Sequence, residues 1–255
     1  MTVPTGGCDP VSGYALRLGD DALILAQQLA KWVARAPELE EDVALTNIGL
    51  DLLGQARMLL SYAGELLGDS TEDDLAYLRD EREFVNCQLV ELPNGDFAAT
   101  MARQLLFSAY QYALYDALAG SADSTLAAIA GKAVKEVAYH RDHATQWTLR
   151  LGDGTPESAE RMQAGLDAVW PYAAELFETD ALVTALVAAG IAAEPAALRP
   201  AWLAYLEPVL VEATLRQPVG DWAPSGGRRG IHTEGFGFLL AEMQYLHRSH
   251  PGASW

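Results

Sequence analysis

LEEDVALTNIGLDLLGQARMLLSYAGELL, residues 39–67, decides the fold class. Leu39, Val43, Leu50, Leu53 and Leu60 recur at helical intervals and share one face, while Ile48, Leu52 and Leu59 make a second stripe. The segment holds no proline, and Glu38, Glu40, Glu41 and Asp42 crowd its start, where negative charge complements the helix dipole. A helix that is apolar on more than one side is expected at the centre of a bundle.

The same period extends in both directions. Upstream, Leu18, Ala22, Leu25, Leu29 and Trp32 predict a helix over residues 12–34, closed by Pro37. Downstream, Thr71 and Asp74 form a capping-box pattern that opens a short helix, and ELPNGD at 91–96 reads as a turn. Asp96 caps a helix to about residue 119, and a further one spans 121–151 until GDGTP stops it. Thr155 and Pro156 start another, reaching about residue 177. Shorter helices follow near 181–189 and 196–216. A Gly/Pro-rich loop, PVGDWAPSGGRRGIH, then leads to a last helix that begins at His232 or Thr233 and ends before Pro251.

The predicted class is all-α. Four long helices, at 12–34, 39–67, 96–119 and 121–151, with a crossover between the second and third, predict a ferritin-like four-helix bundle with additional C-terminal helices. One helical domain over 14–255 follows a flexible tail over 1–13.

Composition narrows the function. Hydrophobic residues make up 50% and charged residues 20%, enough to build a core. Seventeen Lys and Arg against 35 Asp and Glu give a net charge of -18, which excludes nucleic acid as a partner and favours a docking partner with a basic face. No charge-free apolar run is long enough to span a membrane, and the N-terminus lacks a signal-peptide pattern. Cys8 and Cys87 provide neither a disulfide framework nor zinc spacing, so a cytoplasmic location is expected.

A helical bundle of this kind invites a test for a di-iron centre, which needs Glu-x-x-His on two helices and a Glu on each of two others. The five histidines are His140, His143, His232, His247 and His250; three positions before them stand Val137, His140, Arg229, Gln244 and His247. None is acidic. Only a degenerate pattern survives: Asp51 and Gly54 on the second helix, Gln104, Ser108 and Gln111 on the third, and Glu136 and His140 on the fourth. Amides replace the carboxylates that iron requires. The expected role of these groups is mutual hydrogen bonding inside the bundle, with neither a metal nor a catalytic residue in this chain. His232 with Glu234 reads as a helix cap or local ion pair. Arg228 and Arg229, in the Gly-rich loop of an acidic chain, are candidate contacts for a partner or an anion.

Four long strings carry a resemblance: residues 14–57, residues 79–104, AAIAGKAVKEVAYHRDHATQWTLRLGDGTPES at 127–158, and GGRRGIHTEGFGFLLAEMQYLHRSHPGASW at 226–255. Together they resemble the C subunits of the bacterial ring 1,2-phenylacetyl-CoA epoxidases of aerobic phenylacetate catabolism. One departure is Gly235-Phe236 after His-Thr-Glu, where relatives often carry a second His and a Leu. The resemblance implies a metal-free structural chain paired directly with a homologous di-iron partner, the epoxidase's A subunit, which also binds the acyl-CoA. It further implies a small bridging partner, the B subunit, together with a reductase. The reductase has flavin and an iron-sulfur centre and draws electrons from NADPH. Self-association is a further expectation. Two other readings stand beside it. One is a self-sufficient di-metal oxidase or iron-binding protein with unusual ligands from Asp51, Glu136, His140 and His143. The other is a helical acyl-CoA-binding module.

Overall fold

The computed structural model describes residues 9–68 and 70–253. Among them there is no β-strand; the fold is all-helical. The described chain forms two compact units. One comprises residues up to Pro93 with those from Gly226 onward, and the other comprises Asn94–Ser225.

In the first unit, α1 (Pro10–Ala30) and α2 (Leu39–Leu67) form a hairpin. Its register is antiparallel: Gly19 lies on Leu59 and Leu60, and Gly49 lies on Leu29. A Cβ on Gly19 would sit 2.8 Å from Leu60 Cδ2, so glycine sets the close approach of the two helices. α1 begins earlier than its apolar pattern predicts. Asp9 accepts from Val11 N–H, and Pro10 needs no donor there, so residues expected in the tail form the first turn. It also ends earlier, because the chain reverses at Ala34, whose φ is 61° and whose N–H is held by Asp42 Oδ1 at 2.7 Å.

The enclosed helix of this hairpin is α1, not α2. Sixteen of the 21 residues of α1 are buried, against ten of the 29 in α2. The expectation that α2 lies at the centre is therefore corrected. Its Ile48–Leu52–Leu59 stripe is buried, but Leu39, Val43, Leu50 and Leu53 of the other stripe are exposed, and only Leu60 turns inward. α3 (Glu72–Tyr77) follows, with the Thr71–Asp74 capping box intact. A single helical turn at Glu81–Glu83 and α4 (Gln88–Glu91) complete the segment.

In the second unit, α5 (Phe97–Leu118), capped by Asp96, and α6 (Ser124–Gly152), capped by Asp123, make a second antiparallel hairpin. Phe97 packs edge-on against Trp147 near one end, and Arg141 stacks over Tyr112 towards the other. Again one helix is enclosed: sixteen of the 22 residues of α5 are buried, against ten of the 29 in α6. α7 (Pro156–Val169) opens with Thr155 as cap, and its Gly165 rests on the α5 backbone at Ala98 and Ala99. Pro171 ends the α-helix, and residues 170–177 tighten into a 3₁₀ helix. α8 (Ala181–Ala188) and α9 (Pro195–Glu212) follow, and Trp202 of α9 donates to the Leu106 carbonyl at 2.9 Å. The chain then rejoins the first unit, where α10 (Phe236–Ser249) packs on α3.

Candidate functional site

The residues of the degenerate di-iron pattern are placed as follows. Asp51 is half-buried on α2 in the first unit. In the second unit, Gln104 and Gln111 are buried on α5 and His140 is buried on α6. Gln111 Nε2 faces Tyr115 Oη at 3.4 Å, and Ser108 Oγ donates to the Gln104 carbonyl at 2.6 Å. The side-chain oxygen of Gln104 is buried with no hydrogen-bond partner. Glu136, expected to face inward with His140, is half-buried, and its carboxylate reaches Lys132 at 3.8 Å. The pattern residues of the second unit therefore offer neutral amides, one imidazole and a partly solvated carboxylate, which is a poor donor set for iron. Among the described residues, no group of three or more His, Cys, Asp or Glu is placed to hold a metal ion.

The two loop arginines behave differently. Arg229 is exposed. Arg228 is not available as a partner or anion contact. Its guanidinium makes a two-pronged pair with Asp21, at 2.9 and 2.7 Å, and also donates to the Val85 and Arg17 carbonyls. Buried Asp21 must be compensated, and Arg228 is the cation that reaches it. Burial raises the Asp21 pKa, and the Arg228 charge and the Cys87 N–H oppose that rise without cancelling it. His232 likewise does not pair with its neighbour Glu234; it binds Glu91 at 2.7 Å.

These residues belong to a polar cluster that sequence reasoning missed. Asp20, beside Asp21 on α1, is completely buried, pairs with Arg79 and accepts from Val85 N–H. Asp21 also accepts from Cys87 N–H. Gln28, one face along α1, donates to the Glu91 and Leu92 carbonyls at 2.7 and 3.0 Å. The consecutive acids of α1 thus fasten two remote segments, 79–92 and 226–233. The available signal was GDD inside an apolar helical run, since charges there need partners.

Outside this cluster, the first unit presents an apolar surface. Val33, Leu39, Val43, Leu50 and Leu53 are each at least 39% exposed. Beside them lies an open groove of about 230 Å³, lined in part by Leu23, Ala26, Leu50, Leu53, Tyr77 and Met243. A solvent-facing stripe of large aliphatic side chains next to a groove is a feature of docking surfaces.

Residues 2–255 match the family model described as "Phenylacetic acid catabolic protein". The chain is also similar to the C subunit of the "1,2-phenylacetyl-CoA epoxidase" of Escherichia coli (strain K12). The two are 51% identical over 245 residues, covering 96% of this chain and 99% of that protein.

Proposed function

The chain belongs to the phenylacetic acid catabolic protein family, and from that premise we propose that it is the metal-free, structural member of a multicomponent phenylacetyl-CoA epoxidase. It supports a homologous partner, the di-iron subunit, which holds the metal pair and the acyl-CoA. A bridging subunit, and a reductase carrying flavin and iron-sulfur groups and fed by NADPH, complete the assembly. The 51% identity along nearly the whole chain to an epoxidase C subunit is the observation that carries the reading. The donor set supports it, because Gln104 and Gln111 stand where carboxylates would be needed and no acidic residue precedes a histidine by three.

Its contribution is mechanical. Ligand-bearing helices must be held to within fractions of an ångström for catalysis, and a rigid neighbour supplies that support. The exposed Leu39–Val43–Leu50–Leu53 stripe is the surface suited to the partner, since such a face is stabilised by burial against another helix. No helix among the described residues is long and apolar enough to cross a membrane.

The test is reconstitution. Co-expression with the di-iron subunit should yield a stable complex, and phenylacetyl-CoA epoxidation should require both chains together with the reductase. Epoxidation by this chain and the reductase alone would overturn the proposal.

A further inference from the structure

The segment 226–233 closes over residues 79–92 with unusual intimacy. A Cβ on Gly227 would lie 2.2 Å from the Asn86 carbonyl oxygen, and one on Gly230 would lie 2.3 Å from that of Arg82. Gln88 Nε2 donates to the Ile231 carbonyl at 2.8 Å. At the end of this seam stands His232. Its side chain and that of Glu91 are both wholly enclosed.

The ring nitrogens of His232 face acceptors on both sides: Nδ1 lies 2.7 Å from Glu91 Oε2, and Nε2 lies 3.0 Å from the Phe84 carbonyl. A carbonyl can only accept, so Nε2 carries a proton. Glu91 already accepts hydrogen bonds from Asn86 Nδ2 at 2.8 Å and from the Thr233 N–H. With the Glu91 carboxylate as an acceptor on this side too, Nδ1 carries a proton as well. A neutral imidazole could satisfy only one of the two contacts.

We propose that His232 is a protonation-dependent latch: as an imidazolium paired with Glu91 it fastens the segment 226–233, and with it α10, to residues 79–92 within the first unit, and losing its proton releases them. Phe236, the first residue of α10, stacks on the ring at 4.0 Å, and Gln244 further along hooks the Ala76 and Arg79 carbonyls. Deprotonation would turn a bare nitrogen lone pair towards an acceptor and leave Glu91 buried without its counter-charge.

The surrounding charges agree. Burial pushes the His232 pKa down, but the hydrogen bond and charge of Glu91, the Phe84 carbonyl and the charge of Glu81 together raise it above its ordinary value. On α1, Asp20 and Asp21 are engaged by Arg79 and Arg228. From α10 the ring meets the uncharged Phe236, and Glu234 is exposed. Because the folded pKa is raised, the latch contributes fully below the ordinary histidine pKa of about 6.5 and is lost as pH rises through the folded value. Met243 of α10 lines the apolar groove, so release would also reshape that groove. Any effect on assembly rests on the proposed function, whereas the latch itself does not.

The experiment uses the full chain, labelled with ¹⁵N-histidine. At the ordinary histidine pKa of about 6.5 the ring of His232 should still be mainly doubly protonated, and titration to higher pH should remove one proton only above that value. Over the same range, hydrogen exchange of α10, corrected for its intrinsic pH dependence, should rise about tenfold relative to α1. His232→Gln should abolish that rise, and Glu91→Gln should move it to lower pH. A His232 ring that loses its second proton at or below the ordinary histidine pKa of about 6.5, or α10 protection that tracks α1 throughout, would overturn the proposal. The NMR titration of the unaltered protein decides it even if both variants fail to fold.

Discussion

Asp21 and Arg228 stand 207 positions apart, yet their side chains meet in a forked pair with contacts of 2.9 and 2.7 Å. The pair ties the first helix to the loop that precedes the last one. Arg228→Met should therefore destabilise the chain by about 3–5 kcal/mol, the cost of stranding a buried charge. Urea unfolding of the parent and variant checks this. The double variant Asp21→Leu/Arg228→Met should lose less than the sum of the two single variants, because no charge is then left alone.

Gly19 tests the tight crossing of α1 and α2. Gly19→Val places methyl groups against Leu60 and Leu59, within a helix pair that has no slack there. Overpacking of this kind costs about 1–3 kcal/mol. A fall in thermal midpoint with unchanged helical content in circular dichroism is the expected result.

The capping box of α3 has a pH signature. Thr71→Ala should cost about 1 kcal/mol at neutral pH by removing the N-cap. The Thr71 N–H and hydroxyl hold the Asp74 carboxyl below its ordinary value, against a smaller upward effect of burial. A lowered folded pKa stabilises above the unfolded pKa and is lost as pH falls through the folded one. The gap between parent and Asp74→Asn in thermal midpoint should therefore narrow as pH drops below about 4, the ordinary Asp range.

The exposed stripe of α2 should matter to assembly and not to folding. Leu50→Glu and Leu53→Glu replace side chains that are already solvent-facing, so the thermal midpoint of the isolated chain should change little. Binding to the proposed di-iron subunit should weaken by at least about tenfold if either leucine is a central contact. Isothermal titration or co-purification measures it, and unimpaired binding by both variants would move the interface elsewhere.

Much of this architecture was legible from the sequence. The bounds of α2 follow directly from its apolar period and acidic start, and Asp96, Thr71 and Thr155 cap the helices they predict. Periodicity could not say which of two apolar stripes is covered: both stripes of α2 have the same character, and only one is buried. Helix ends set by tertiary hydrogen bonds were equally hidden. α10 starts at Phe236 because His232 and the Thr233 N–H are drawn to Glu91, a partner more than 140 positions away. For the same reason Arg228 looked like an exposed loop cation, whereas it compensates a carboxylate buried on α1. The degenerate ligand pattern was readable because it depends on local spacing alone. How Gln104 and His140 are buried was not, since that depends on packing.

Iron quantification is the most direct test of the central claim that this chain supports the chemistry without holding the metal. The chain should be expressed with excess iron, alone and with the proposed di-iron subunit, and each product assayed for bound iron and for the absorption of an oxo-bridged pair. The account predicts no stoichiometric iron in the isolated chain, and in the complex an iron pair that stays with the partner when the two are separated. Two irons bound per isolated chain, lost on substituting Glu136 or His140, would contradict it.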